Sequence, residues 1–199
     1  WLLFASALLL GFALTGMIAN LVPMLTDRGM PAETAARYMG VFGTALIVGR
    51  LTAGVALDRV WAPLVGAILF PLAAISCAVL ASGTGHHGIL IVAVFFFGLA
   101  SGAEVDMIPF LVTRYFGLLR YSQLYGLQWT AWTLASGVAP AVYGYAFDRS
   151  GNYMTILYIA SLCFLIAPVL ICLLGRYPQF TGQAVLTLPE GGAKARVPS

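Results

Sequence analysis

Long apolar segments alternate with short polar ones along the chain. The predicted helices cover residues 1–25, 37–58, 61–82, 89–113, 121–147 and 153–175. Each is close to or above the ~20 residues that an α-helix needs to cross a ~30 Å hydrocarbon core, and none shows the period-two alternation of a barrel strand. The pattern predicts an all-α, polytopic protein with six transmembrane helices in one domain, residues 1–176. Residues 177–199, rich in Gly, Pro and Ala, are predicted to form a disordered tail.

Composition supports a membrane-embedded chain and excludes several other classes. Hydrophobic residues make up 61% of the sequence, charged residues 9%, and the mean hydropathy is +0.94, values far from those of soluble domains. The net charge of +3 is spread along the chain, which gives no nucleic-acid footprint. The cysteines and histidines lack metal-ligand spacing, and no GxSxG or HExxH motif is present. We therefore expect no metal, no cofactor and no enzymatic activity.

Basic residues near the helix ends predict the orientation. They number six on one side and three on the other: Arg59, Arg114, Arg120, Arg176, Lys194 and Arg196 against Arg28, Arg37 and Arg149. Short cytoplasmic loops retain positive charge, so the C-terminus is predicted to be cytoplasmic. Since the sequence begins at Trp1 within an apolar segment, we also expect one half of a longer protein.

A repeated motif predicts internal symmetry. The second helix ends in Gly54-Val-Ala-Leu-Asp58-Arg59 and the fifth in Gly144-Tyr-Ala-Phe-Asp148-Arg149. The second and fifth helices would leave the membrane on opposite sides. This relation is that of the 3+3 inverted repeats of secondary transporters.

Charged residues inside the spans are the strongest functional signal, because an acid at the centre of a membrane helix costs ~3 kcal/mol on insertion scales. A rise of ~1.5 Å per residue places Arg50 and Glu104 at similar depth. Asp106 is roughly 3 Å farther along and rotated by ~200° from Glu104. Without a kink at Pro109, we expect Glu104 to face a cavity with Arg50. Asp106 would then join a network at the cytosolic end with Arg59 or Arg114.

These residues predict anion binding and proton transfer. Arg50 is a natural anchor for a carboxylate because guanidinium binds carboxylates bidentately, although a permanent Arg50–Glu104 pair is equally open. Glu104, and secondarily Asp106, are the candidates for carrying a proton. Gln128 and Trp132 are predicted substrate contacts near the middle of the fifth helix. The alternative is a structural ion-pair lattice that rigidifies the bundle.

Several segments resemble the C-terminal half of major facilitator superfamily transporters of the monocarboxylate and oxalate/formate type. The matching segments are Gly49-Arg50-Leu-Thr-Ala-Gly54-Val-Ala-Leu-Asp58-Arg59, Glu104-Val-Asp106, Arg114-Tyr-Phe-Gly117, Tyr125-Gly126 and Asp148-Arg-Ser-Gly151. The resemblance implies half of a twelve-helix fold in the bacterial inner membrane, packed against a homologous N-terminal six-helix half. It also implies a cytoplasmic gating motif at Gly54, Asp58 and Arg59.

The implied function is secondary transport of a small monocarboxylate-like anion by alternating access, coupled to protons or to a counter-anion. Three departures qualify the resemblance. Leu46 stands where mammalian monocarboxylate carriers have aspartate. The fifth helix lacks the lysine of the oxalate/formate exchanger, and no Gly-Arg-Arg follows Asp58-Arg59. A transporter for sugars or drugs, and a receptor or scaffold that retains the fold, are the alternatives.

Overall fold

The computed structural model describes residues 1–178, which form six α-helices and no strand. The helices are α1 (Leu2–Thr26), α2 (Ala32–Arg59), α3 (Ala62–Ala81), α4 (His87–Phe116), α5 (Tyr121–Ser150) and α6 (Met154–Cys172). Five are long and apolar enough to cross a membrane, whereas α5 is more polar. The predicted all-α, six-helix membrane fold is confirmed. Most of the predicted tail, residues 179–199, lies outside the described residues.

The helices α2, α4 and α5 extend beyond the predicted spans because helices continue past the hydrocarbon core. The helix α2 begins at Ala32 after Pro31, five residues earlier than hydropathy indicated. Its first turns carry an ion pair of 2.7 Å between Arg37 Nη2 and Glu33 Oε1, an i,i+4 arrangement suited to a water-exposed helix end. The helix α4 runs without interruption through Pro109 to Phe116 and ends at Gly117, whose φ is +73°.

The packing of the helices shows the predicted inverted repeat. The helix α1 packs mainly on α5 and α6, α4 packs mainly on α2 and α3, and α3 packs on α6. Exchanging the triplets α1–α3 and α4–α6 leaves this pattern unchanged. The helix ends agree, since Thr26, Arg59 and Ala81 precede Phe116, Ser150 and Cys172 by 90 or 91 residues. Because each triplet has an odd number of helices joined by short turns, the second triplet crosses in the opposite direction.

Glycines bring α2 and α4 into backbone contact. A Cβ atom at Gly98 would lie 2.6 Å from the carbonyl oxygen of Phe42, and one at Gly102 would collide with the carbonyl oxygen of Leu46. On the facing helix, a Cβ atom at Gly49 would meet the backbone of Leu99. Later residues of α2 contact later residues of α4, so the two helices run parallel. Small residues permit such close approaches between membrane helices.

The equivalent pair in the other half of the repeat is α1 and α5. A Cβ atom at Gly11 would lie 2.8 Å from the carbonyl oxygen of Trp132, and Gly16 packs under the ring of Tyr143. The Tyr143 hydroxyl donates a 3.4 Å hydrogen bond to the carbonyl oxygen of Ala13. Each triplet therefore uses glycines on its first helix to hold the middle helix of the other triplet.

The middle helices α2 and α5 are the least buried of the six. In α5, the buried residues are Gln128, Ala131, Ala139 and Tyr143. Exposed polar residues such as Thr130 and Thr133 lie along the rest of this helix. Polar side chains at membrane depth avoid lipid and face a protein interior or a water-filled cavity. We therefore take the open face of α2 and α5 to be the functional face.

We expect Gly102→Ala to destabilise the helix bundle by roughly 1–3 kcal/mol, the usual cost of overpacking a close contact. The added methyl group would collide with the carbonyl oxygen of Leu46. The measurement is the thermal or denaturant unfolding of the full chain in detergent. Gly43→Ala on α2 is the matched control, since no described atom lies within 4 Å of its Cβ position. Equal stability of the two variants would contradict the close approach.

Candidate functional site

Arg50 of α2 and Asp106 of α4 form a bidentate ion pair on the open face. Arg50 Nη2 donates to Asp106 Oδ1 at 3.0 Å, and Arg50 Nε donates to Asp106 Oδ2 at 3.4 Å. The Arg50 side chain is 49% exposed and that of Asp106 is 34% exposed. This fork geometry gives directional as well as electrostatic attraction. The pair thus sits within two membrane spans and is open on one side.

The predicted partnership of Arg50 with Glu104 is wrong, and so is the placement of Asp106 with Arg59 or Arg114. The reason is the contact at Gly102, where a Cβ atom would lie 2.8 Å from the backbone nitrogen of Arg50. Asp106 is four residues beyond Gly102 and therefore lies on the same face, one turn farther along. Glu104 is two residues from Gly102, or ~200° around the helix, and points away from α2. Similar depth in the membrane suggested Glu104 as the partner of Arg50, whereas the observed partner is Asp106.

Glu104 lines a small cavity between α4 and α5. The cavity has a volume of about 80 Å³ and is lined by Glu104, Val105, Ile108, Pro109, Tyr125, Gln128, Trp129 and Trp132. Glu104 itself is 3% exposed. Glu104 was expected to share a cavity with Arg50, but Arg50 does not line this one; the structure instead brings Glu104 together with Gln128 and Trp132, the two predicted contacts on α5. Tyr125 and Trp129 of the same helix also line the cavity.

Three polar atoms in this cavity have no hydrogen-bond partner. They are Glu104 Oε1, Gln128 Oε1 and Trp132 Nε1, and they are the full set of unpartnered buried side-chain nitrogen and oxygen atoms within residues 1–178. Burying such atoms unpaired costs about 1–3 kcal/mol each. Trp132 and the Glu104 carboxyl group are neighbours that can pair after a small side-chain movement, and the cavity has room for water or a small polar group that would also reach Gln128.

Aromatic rings of α5 form a ladder beside the cavity. The ring centroids of Tyr121 and Tyr125 are 5.5 Å apart, those of Tyr125 and Trp129 are 6.2 Å apart, and those of Trp129 and Trp132 are 5.3 Å apart. Trp129 is half-exposed. Tyr143, farther along α5, is not part of this ladder and is buried against α1. The ladder thus offers an apolar platform on the open face.

The ion pair and the cavity flank the same turn of α4. Asp106 turns toward α2 and Glu104 toward α5, while Val105 between them is exposed and also lines the cavity. Arg50, Asp106 and the aromatic ladder therefore lie on the open face, whereas Glu104 and Gln128 are buried beneath it. Such a face can hold a small molecule that has an anionic end and a less polar remainder.

The predicted gating residues lie apart from this site. Asp58 and Arg59 are exposed at the end of α2, and no described atom lies within 4 Å of a Cβ position at Gly54. Within residues 1–178, the ion pairs are Arg37–Glu33 and Arg50–Asp106, so neither Asp58 nor Arg59 has a charged partner there. Their surroundings fit a role at one mouth of the bundle rather than in the central site.

Comparison with known proteins establishes the fold. The chain is similar to a point variant of the E. coli fucose:proton symporter, FucP, with a TM-score of 0.72 and 22% sequence identity. The match covers 88% of this chain and 42% of the symporter chain. No protein-family model and no curated protein matches the sequence. The described helices thus have the fold of one half of this symporter, and the chain is a multi-pass membrane protein.

Removing one partner of the central ion pair should lower stability more than removing both. We expect Asp106→Asn to lower the unfolding temperature in detergent, because Arg50 would remain charged without its carboxylate. Adding Arg50→Gln to this variant should recover most of the loss. Arg37→Gln is the control, since exposed pairs contribute about 1 kcal/mol or less. A single variant as stable as the wild type would argue against the pairing.

Proposed function

We propose that the chain is half of a secondary transporter that moves a small monocarboxylate-like anion by alternating access. The observation that carries this proposal is the half-exposed Arg50–Asp106 pair on the open face of a transporter fold. A homologous six-helix half would cover this face and complete the cavity. In this proposal the protein lies in a bacterial inner membrane with its C-terminus in the cytosol, as the distribution of basic residues favours.

Charge balance supports coupling to a proton. Asp106 neutralises Arg50 when no substrate is bound, because the two side chains form a bidentate pair. A substrate carboxylate that takes the place of Asp106 on Arg50 would leave one unbalanced negative charge in a low-dielectric site. Protonation of Asp106 removes that charge. One proton would then accompany each monocarboxylate, and transport would be electroneutral.

Glu104 is the second candidate for the coupled proton and a candidate substrate contact. Its carboxyl group is enclosed with Gln128 and Trp132, and no described cation contacts it. When it carries a proton, an enclosed carboxyl group of this kind can donate a hydrogen bond to a substrate oxygen. The amide of Gln128 and the indole N–H of Trp132 would complete this polar subsite.

A rigid bridge between Arg50 and Glu104, inaccessible to water, would favour the receptor or scaffold alternative. The observed pair is Arg50–Asp106, and both side chains are accessible from the open face. Such a pair can exchange partners with a ligand.

A sugar is the second candidate substrate. The observation that favours it is the ladder of Tyr125, Trp129 and Trp132 next to Gln128 and Glu104, because aromatic faces and hydrogen-bonding groups together suit a polyhydroxylated ring. One solved structure that resembles the chain is a fucose:proton symporter. Competition of labelled monocarboxylate uptake by neutral hexoses and by unlabelled monocarboxylates separates the two substrates.

Transport assays with the full-length protein in proteoliposomes test the roles of the charged residues. We expect Arg50→Lys to raise the KM for a monocarboxylate about tenfold, the loss expected for one hydrogen bond to a charged group. Asp106→Asn should abolish the acceleration of uptake by an inward proton gradient while anion exchange continues. Arg37→Lys, at the exposed start of α2, is the matched control and should leave both quantities unchanged.

Comparing proton-driven uptake in Asp106→Asn and in Glu104→Gln shows which of the two carboxyl groups carries the coupled proton. If Asp106 carries it, Glu104→Gln keeps proton-driven uptake and changes mainly KM. Loss of proton-driven uptake in Glu104→Gln alone would instead assign the proton to Glu104. Wild-type KM in Arg50→Lys would count against Arg50 as the carboxylate anchor.

A further inference from the structure

A basic recess lies at the end of the bundle where α2 and α4 end and α3 begins. It has a volume of about 650 Å³ and is lined by Leu57, Asp58, Arg59, Val60, Trp61, Phe110, Arg114, Arg176, Tyr177 and Pro178. Its three arginines come from three separate segments of the chain. We refer to this feature as the basic recess.

The basic recess carries an excess of positive charge. Arg59, Arg114 and Arg176 are exposed, and none of them forms an ion pair within residues 1–178. Arg114 Cζ lies 5.1 Å from the centre of the Phe110 ring, which orients the guanidinium by a cation–π contact. Asp58 is the one carboxylate in the lining. Three cations against one anion favour an anionic ligand.

The recess is held in place by contacts of the segment that follows α6. The backbone N–H of Ala62 donates a 2.8 Å hydrogen bond to the Tyr177 hydroxyl oxygen. The Tyr115 hydroxyl donates to the carbonyl oxygen of Gly175, and the rings of Tyr115 and Tyr177 meet edge to face with centroids 5.0 Å apart. These contacts hold the backbone on both sides of Arg176 against the start of α3 and the end of α4.

An apolar groove lies on the adjoining surface of α3 and α6. It has a volume of about 490 Å³, and its lining residues are Ala67, Pro71, Leu165, Pro168, Val169, Cys172 and Leu173. Leu165, Val169 and Leu173 are exposed there. The groove follows α6 for ~12 Å, at ~1.5 Å per residue, and ends three residues before Arg176. The Cys172 thiol also contacts the carbonyl oxygen of Pro63 at 3.7 Å, which places the end of the groove beside the start of α3.

The positive charge of the basic recess and the apolar surface of the adjoining groove together match an amphipathic molecule with an anionic end. Trp61 and Val60 are exposed at the same end of α3, and tryptophan favours the headgroup level of a bilayer. Basic pockets between membrane helices bind anionic headgroups. A free phosphate would use the arginines but not the groove, whereas a phospholipid uses both.

We propose that the basic recess and the α3–α6 groove together bind an anionic phospholipid. Its phosphodiester contacts Arg59, Arg114 and Arg176, and one acyl chain lies along Val169 and Leu165. This site is separate from the central face, and the proposal does not depend on which substrate is transported.

Binding of phosphatidylglycerol to the full chain in detergent, measured by native mass spectrometry, tests the proposal. Phosphatidylcholine with identical acyl chains is the comparison lipid, and glycerol 3-phosphate is the headgroup probe without chains. We expect wild-type protein to bind phosphatidylglycerol more tightly than phosphatidylcholine. In Arg114→Gln/Arg176→Gln the affinity should fall about 25-fold, taking about fivefold for each arginine near an anionic headgroup.

Two matched controls separate the headgroup site from general effects. Arg120→Gln removes an exposed charge at the same end of the bundle, outside the recess, and should change affinity less than twofold. Val169→Trp fills the groove and should weaken lipid binding. Leu162→Trp, an equally exposed position on α6 outside the groove, should not.

Three results would overturn the proposal. Equal affinity of the wild type for the two lipids would remove the role of the headgroup charge, whether or not the arginine variants fold. An equal loss of affinity for phosphatidylglycerol in Arg120→Gln and in the double variant would show that the lipid is attracted by the general positive charge and not by a specific site. If glycerol 3-phosphate displaces phosphatidylglycerol at an equal concentration, and Val169→Trp does not change lipid affinity, the recess binds free anions and the groove has no role.

Discussion

The close approach of α2 and α4 decides how the charges within the membrane are shared. Because Gly49 and Gly102 have no side chains, the two backbones touch at the level of Arg50. Asp106, one turn beyond Gly102, then meets the guanidinium, and Glu104 is directed toward α5. Two acids that are neighbours in sequence thereby enter different environments, one paired and open, the other enclosed and without a cation.

The inverted repeat explains why the functional face stays open. In each triplet the first helix, α1 or α4, holds the middle helix of the other triplet, α5 or α2, through glycine contacts. Each middle helix is therefore buried along one side and exposed along the other. Arg50 and Trp129 lie on these exposed sides. Lipid is a poor cover for such residues, whereas a second six-helix half of similar shape would enclose them.

Depth determines what an arginine does in this chain. Arg50 lies within the spans and is neutralised by a bidentate carboxylate. Arg114 and Arg176 lie at the end of the bundle without a carboxylate partner in residues 1–178, beside exposed aromatic and aliphatic side chains. At that level headgroups and water stabilise a cation, so no protein partner is required. The same residue type thus serves a central site and a surface site for different physical reasons.

The sequence by itself determined the six helices, the membrane environment and the repeat, because these follow from apolar length and from a motif repeated along one chain. It also identified Arg50, Glu104, Asp106, Gln128 and Trp132, since polar residues are rare in such spans. Only the tertiary structure decided which of them meet. Rise and rotation along one helix fix the depth and face of a residue, but the partner depends on where neighbouring helices touch. Here the contact at Gly102 paired Arg50 with Asp106 and placed Glu104 with Gln128 and Trp132.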